Sequence, residues 1–141
     1  MKKIFLISCV SKKREGILPA KELYVSNWFV KSKRFVEMQP CNWYILSAKY
    51  GLTAPDSPIE NYNMTLKLLK KDERHKWSHD VATKLKEKEH IIDEVVILAG
   101  KYYREFLVTE LLTFCKKVII PLEGLRLGEQ ISWLNSRIKN G

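Results

Sequence analysis

The stretch "ILSAKYGLTAPDSPIENY", residues 45–62, begins as an apolar strand and runs on into a polar segment holding Lys49, Tyr50, Asp56, Glu60 and Tyr62. A buried strand that delivers hydrogen-bonding side chains at its far end is the pattern of open parallel α/β sheets. In such sheets ligands bind outside the carboxyl ends of the strands, where the strand order reverses.

Working outward, three further runs share the strand pattern: 3–8 (KIFLIS), 94–99 (EVVILA) and 116–120 (KKVII), beside 42–47 (NWYILS) itself. Each is short, β-branched or aromatic, and nearly without alternation, as expected of strands covered on both faces. Between them lie segments of helical period at about 20–38, 65–89, 102–114 and 127–139. The order β-α-β-α-β-α-β-α predicts right-handed crossovers. The expected fold is therefore a single α/β domain over 1–141, a Rossmann-like three-layer sandwich with a four-stranded mainly parallel sheet. The five prolines, Pro19, Pro40, Pro55, Pro58 and Pro121, are expected between these elements, where a missing N–H does least harm.

Composition narrows the partners. Lys and Arg number 25 against 16 Asp and Glu, a net charge of +9, which favours polyanions such as nucleic acid, nucleotides or acidic surfaces. Cys9, Cys41 and Cys115 are odd in number and show no zinc spacing, which fits a reducing cytoplasm. The run Ile4 to Ile7 behind Lys2 and Lys3 is too short for a secretory core, and no stretch reaches membrane-spanning length. His75 and His79 lie four apart but lack the glutamate of an HExxH site, so no metal is expected. Nothing in the sequence calls for a cofactor.

The chemistry is expected behind the strands. "SCVSKK" (8–13) offers Ser8, Cys9, Ser11 and Lys12 for a phosphate or carboxylate, without the GxxxxGK[ST] spacing of a triphosphate loop. Cys9 has no neighbouring histidine to make it a nucleophile and reads better as a small buried side chain. In 47–62, Ser47, Lys49, Tyr50, Gly51 and Tyr62 accompany Asp56, the candidate catalytic carboxylate, which Lys49 would keep ionised. Glu60 is the next carboxylate along; the alternative is that Asp56 and Ser57 cap a turn. "GKYYRE" (100–105) contributes Gly100, Tyr102 and Tyr103, and "PLEGLRLGEQ" (121–130) contributes Gly124 and Gly128 around Arg126. Ser11, Lys49, Asp56 and Tyr102 are expected around one cavity at the carboxyl edge.

These segments, with "ILAGKYYREFL" and "PLEGLRLGEQISWL", resemble a bacterial and phage domain family of unknown function sometimes found near or fused to 7-deazaguanine transglycosylase-type proteins. The "LSAKYGL" core also resembles the corresponding loop of the YaaA-like peroxide-stress proteins, which bind DNA. The resemblance implies one pocket formed by Ser8, Cys9, Ser11, Lys12, Ser47, Lys49, Tyr50, Gly51, Asp56, Tyr62, Gly100, Tyr102, Tyr103, Pro121, Gly124, Leu125 and Gly128. It also implies work on nucleic acid or modified bases. The expected function is processing of a nucleotide or nucleic-acid base, with cleavage or transfer at an N-glycosidic bond as the reaction. The alternative is a non-catalytic basic module that grips nucleic acid by charge and stacking.

Overall fold

The computed structural model describes residues 2–139. Its main sheet has five strands in the order β4-β3-β1-β6-β7. These are β1 (Lys3–Ser8), β3 (Asn42–Ser47), β4 (Gly51–Thr53), β6 (Glu94–Leu98) and β7 (Lys117–Ile119). All pair in parallel except β4, which folds back antiparallel on β3. A separate antiparallel ribbon joins β2 (Ile17–Pro19) to β5 (Pro58–Glu60).

The four expected strands are present, and the expected count of four is corrected to five by β4. "GLT" is only three residues long, too short to show a period. It forms because Ser47 and Gly51 pair across the three-residue turn Ala48-Lys49-Tyr50, and Gly51 takes the positive φ of 70° that closes such a hairpin. Pro19 and Pro58 are also corrected. They pair with one another in the ribbon, at its end, where a strand tolerates proline.

The four expected helices are cut into shorter ones. Residues 20–38 form α1 (Ala20–Leu23) and α2 (Asn27–Glu37), divided because the Ser26 hydroxyl accepts from the Phe29 N–H and starts a new helix. Residues 65–89 form a 3₁₀ turn over Leu66–Leu68 and then α3 (Lys71–Lys88); residues 102–114 yield α4 (Lys101–Arg104) and α5 (Leu107–Leu111). Helix α6 (Leu127–Lys139) ends the described chain.

Side chains of the central strand alternate between two cores. Phe5 and Ile7 pack with Phe29 and Val36 of α2, while Ile4 and Leu6 pack with Val81 and Leu85 of α3 and Leu107 and Leu111 of α5. The chain steps from β1 to β3 in one direction and from β3 to β6 and β7 in the other. Crossovers of one handedness then put α2 on one face and α3 and α5 on the opposite one, as observed. Helix α6 returns to the α2 face, where Trp133 meets Phe35 edge-on at 5.3 Å. Phe29 is fully buried, so Phe29→Ala would cost about 3–5 kcal/mol.

Candidate functional site at the carboxyl edge of the sheet

The strand order reverses between β1 and β6, so the crevice outside their carboxyl ends is the place where a ligand is expected. Cys9 leaves β1 there, its N–H donating to the Leu46 carbonyl at 2.9 Å. Its Sγ lies 3.2 Å from the Tyr103 hydroxyl, which stands behind β6. The segment 61–70 passes over the same edge. Tyr62 within it accepts from the Ser47 hydroxyl at 2.8 Å and shares a 2.7 Å hydrogen bond with the Tyr24 hydroxyl. Ser47 also accepts from the Tyr50 N–H at 3.0 Å. Trp77 of α3 donates its indole N–H to the Ser47 carbonyl at 3.0 Å and sets its ring edge-on to Tyr103.

Burial pushes the Tyr62 and Tyr103 hydroxyls far above their usual pKa, and closeness to Cys9 adds to both. Burial likewise raises Tyr24 to about 12. All three phenols therefore stay neutral at physiological pH and serve as hydrogen-bonding groups.

Lys13 joins this cluster, whereas the expected Lys12 does not. The backbone of 12–14 pairs with 23–25: Lys12 accepts from the Val25 N–H, and Arg14 donates to the Leu23 carbonyl. Extended backbone alternates its side chains, so Lys12 and Arg14 are exposed while Lys13 turns inward. The Lys13 ammonium rests 4.6 Å from the centre of the Tyr62 ring and donates to the Ser11 carbonyl at 3.1 Å. Its burial lowers its pKa, and nearby Cys9 partly opposes that. No sequence period extends across so short a bridge, so the choice between neighbouring lysines was not readable. Tyr24, Trp77 and Arg74 were also missed as members of the cluster. Each comes from a helix or its flank, and only the fold brings them here.

Behind β6, Tyr102 carries the Arg74 guanidinium over its ring at 5.3 Å. Arg74 is fixed in turn by Glu105 at 2.8 Å. Gly100 caps α4, which is too short for a useful macrodipole. Arg104 reaches Glu123 at 3.0 Å and so ties the turn behind β7 to this edge. In that turn Gly124 takes a φ of 81°, while Gly128 lies inside α6 and is exposed.

The structure thus draws together Cys9, Ser47, Tyr50, Tyr62 and Tyr103, with Ser8 buried beneath them at the end of β1 and Ser11 and Lys12 exposed beside them. Lys49 is exposed in the β3–β4 turn with its ammonium 5.3 Å from the Tyr50 ring centre. Asp56 is not brought to this edge. Antiparallel β4 carries the chain back along β3, and Asp56 borders a recess with Cys41, Asn42 and Tyr44 near the start of that strand. It is exposed there and pairs with Lys21 at 2.7 Å. Glu60 is exposed on the ribbon, and its carbonyl accepts from the Tyr50 hydroxyl at 3.4 Å. Of the histidines, His75 stacks on Phe106 and His79 lies 3.2 Å from Glu110.

These features define a mixed α/β domain whose post-strand segments meet at one carboxyl edge lined with tyrosine and lysine. The chain belongs to a family of unknown function, DUF6884, whose model matches residues 4–136. No curated protein and no solved structure was found to match it.

Proposed function

We propose that the carboxyl edge binds a phosphate-bearing ligand, a nucleotide or nucleic acid, and that the domain is a non-catalytic basic module. The observation that carries this reading is the state of the cations. Among the described residues, Lys12, Lys13, Lys49, Lys67, Lys101 and Arg126 form no ion pair with an acid, and all lie on segments that follow strand ends or cross over them. Cations left without a partner on one edge are available to phosphates.

Binding is favoured over N-glycosidic cleavage because that reaction needs a carboxylate beside the sugar. Asp56 pairs with Lys21 away from the cluster, Glu60 points to solvent on the ribbon, Glu105 is engaged by Arg74, and Asp80, at the recess beside Tyr50, is paired with Lys76. Helices on both faces of the sheet support a Rossmann-like three-layer reading, in which this edge is the usual ligand position. The likeness of the loop segments to proteins found with 7-deazaguanine transglycosylase-type proteins favours nucleic acid as the polyanion. Three free cysteines favour a reducing compartment, and no described helix is long and apolar enough to cross a membrane.

The test is a titration against a labelled oligonucleotide at low and moderate salt, with wild type beside a Lys12→Ala, Lys67→Ala, Lys101→Ala variant. Wild-type affinity should fall steeply with salt, and the variant's salt slope should be shallower by roughly two to three. An identical slope in the two proteins would count against this edge.

A further inference from the structure

We infer that the ligand of this edge is single-stranded nucleic acid, and that Tyr50 and Tyr62 with their lysines are the seats of two successive unpaired bases. The inference rests on the phosphate-binding reading above and adds to it what lies between the phosphates. Tyr62 carries Lys13 on its ring face at 4.6 Å, and Tyr50 carries Lys49 at 5.3 Å. The two rings touch, with centres 5.6 Å apart, and stand 78° from one another. Each unit therefore joins one cation to one aromatic face, the two surfaces that a single strand presents in alternation along its backbone and bases.

A phosphate offers an ammonium a charge-assisted bond, which is stronger than its contact with a ring face. When a strand docks, each lysine moves from its tyrosine to the backbone, and the ring face it leaves accepts a base. Neither ring has to be ordered for this. Tyr62 is already held by Ser47 and Tyr24, and Tyr50 by the Glu60 carbonyl, so little conformational freedom is lost on binding. A recess of about 190 Å³ bordered by Lys49, Tyr50, Trp77, Asp80 and Lys84 gives the Tyr50 seat depth.

The angle between the rings favours a single strand over a duplex. Neighbouring base pairs lie parallel, whereas bases seated on these two rings are splayed to nearly a right angle, which only an unpaired and kinked strand allows. The third couple, Arg74 over Tyr102, differs because Glu105 holds its cation in place. It is not assigned a base.

The experiment measures affinity for a short mixed-sequence single strand, as DNA and as RNA, for the matching duplex, for an abasic strand of the same length and for inorganic polyphosphate. A single strand of either sugar should bind about tenfold or more tighter than the abasic strand. Tyr50→Ala should remove about tenfold of that preference, and Tyr50→Phe, which keeps the ring, should retain it. Lys13→Ala should reduce the salt slope by about one. If the abasic strand or polyphosphate binds as tightly as the single strand, or the duplex binds as tightly or tighter, the base seats are refuted while phosphate binding stands. Binding of none of the probes refutes both. Loss of preference in Tyr50→Phe equal to that in Tyr50→Ala also overturns the stacking role.

Discussion

The two ends of the same sheet treat their lysines differently. At the amino end Lys2 pairs with Glu89 at 2.8 Å, Lys3 with Glu94 at 3.3 Å and Lys116 with Asp93 at 3.2 Å. Glu89, buried, also accepts from Tyr44 and Asn42. Its burial pushes its pKa up, but the hydrogen bonds from Lys2, Tyr44 and Asn42 outweigh that and hold the carboxyl below its usual range. At the carboxyl end, tyrosine hydroxyls, a serine and a thiol satisfy one another beneath, and lysines stand above them without acids. Charge at the first end is spent on holding strands together. At the second, Arg74 and Arg104 are paired with Glu105 and Glu123, and it is the lysines that are left for something outside the molecule. Substitutions at the two ends should therefore separate stability from binding.

The largest effect is expected at the amino end. Glu89→Ala removes the buried carboxylate shared by Tyr44, Asn42 and Lys2 and leaves the half-buried Tyr44 hydroxyl without its acceptor, and should lower unfolding free energy by about 2–4 kcal/mol in a urea titration. Oligonucleotide affinity of the folded protein should not change. A parallel loss of affinity would erase the distinction between the ends.

Next comes Tyr62→Phe, which deprives Ser47 and Tyr24 of their shared partner and should cost about 1–3 kcal/mol. It probes the layer beneath the lysines and tells whether that layer is structural. An unchanged melting temperature would show that the hydroxyl network contributes nothing to the fold.

Acidity sharpens the comparison further. Asp93 is lowered by the Lys2 backbone N–H and by Lys116, and Glu89 is lowered as described. A carboxyl lowered on folding contributes stability that is present above its ordinary pKa of about 4 and lost as pH falls through the folded value. Wild type should lose stability on acidification below about pH 4, and Glu89→Gln should lose less over the same range. Tyr24 has the opposite sign: its pKa is raised to about 12, so its contribution is whole below pH 10 and fades as pH climbs toward 12. The chemical melts at acid and alkaline pH would check both directions.

How far the sequence alone reached follows from the length of its signals. The parallel strands were legible because each holds a continuous apolar run, and their order implied the edge at which the loops meet, although β7, at the sheet edge, is only partly buried. The hairpin strand β4 and the ribbon of β2 and β5 were not, since three residues carry no period and their pairing depends on distant chain. Asp56 reads from sequence as a neighbour of the edge for the same reason: unless β4 is recognised as reversing direction, residues 54–57 look as though they stay near the end of β3. The choice of Lys12 over Lys13 turned on an isolated bridge to Tyr24. Ser47, Tyr50, Tyr62 and Tyr103 were identifiable because they sit immediately behind strands or on the long segment that follows one.

Smallest in stability are the exposed cations. Lys12→Ala and Lys101→Ala should each change unfolding free energy by no more than about 0.5 kcal/mol, because neither touches an acid, while each weakens polyanion binding at low salt. Calorimetry and a binding titration on the same samples decide whether a lysine belongs to the fold or to the ligand.

The central claim, that the carboxyl edge is the binding face, is tested most directly by following backbone amide resonances during titration with a short single-stranded oligonucleotide. The account predicts shifts concentrated in residues 9–14, 48–51, 62–70 and 100–104, with those of Lys2, Lys3, Asp93 and Lys116 unmoved. Shifts confined to the amino end, or to the surface shared by α2 and α6, would contradict it.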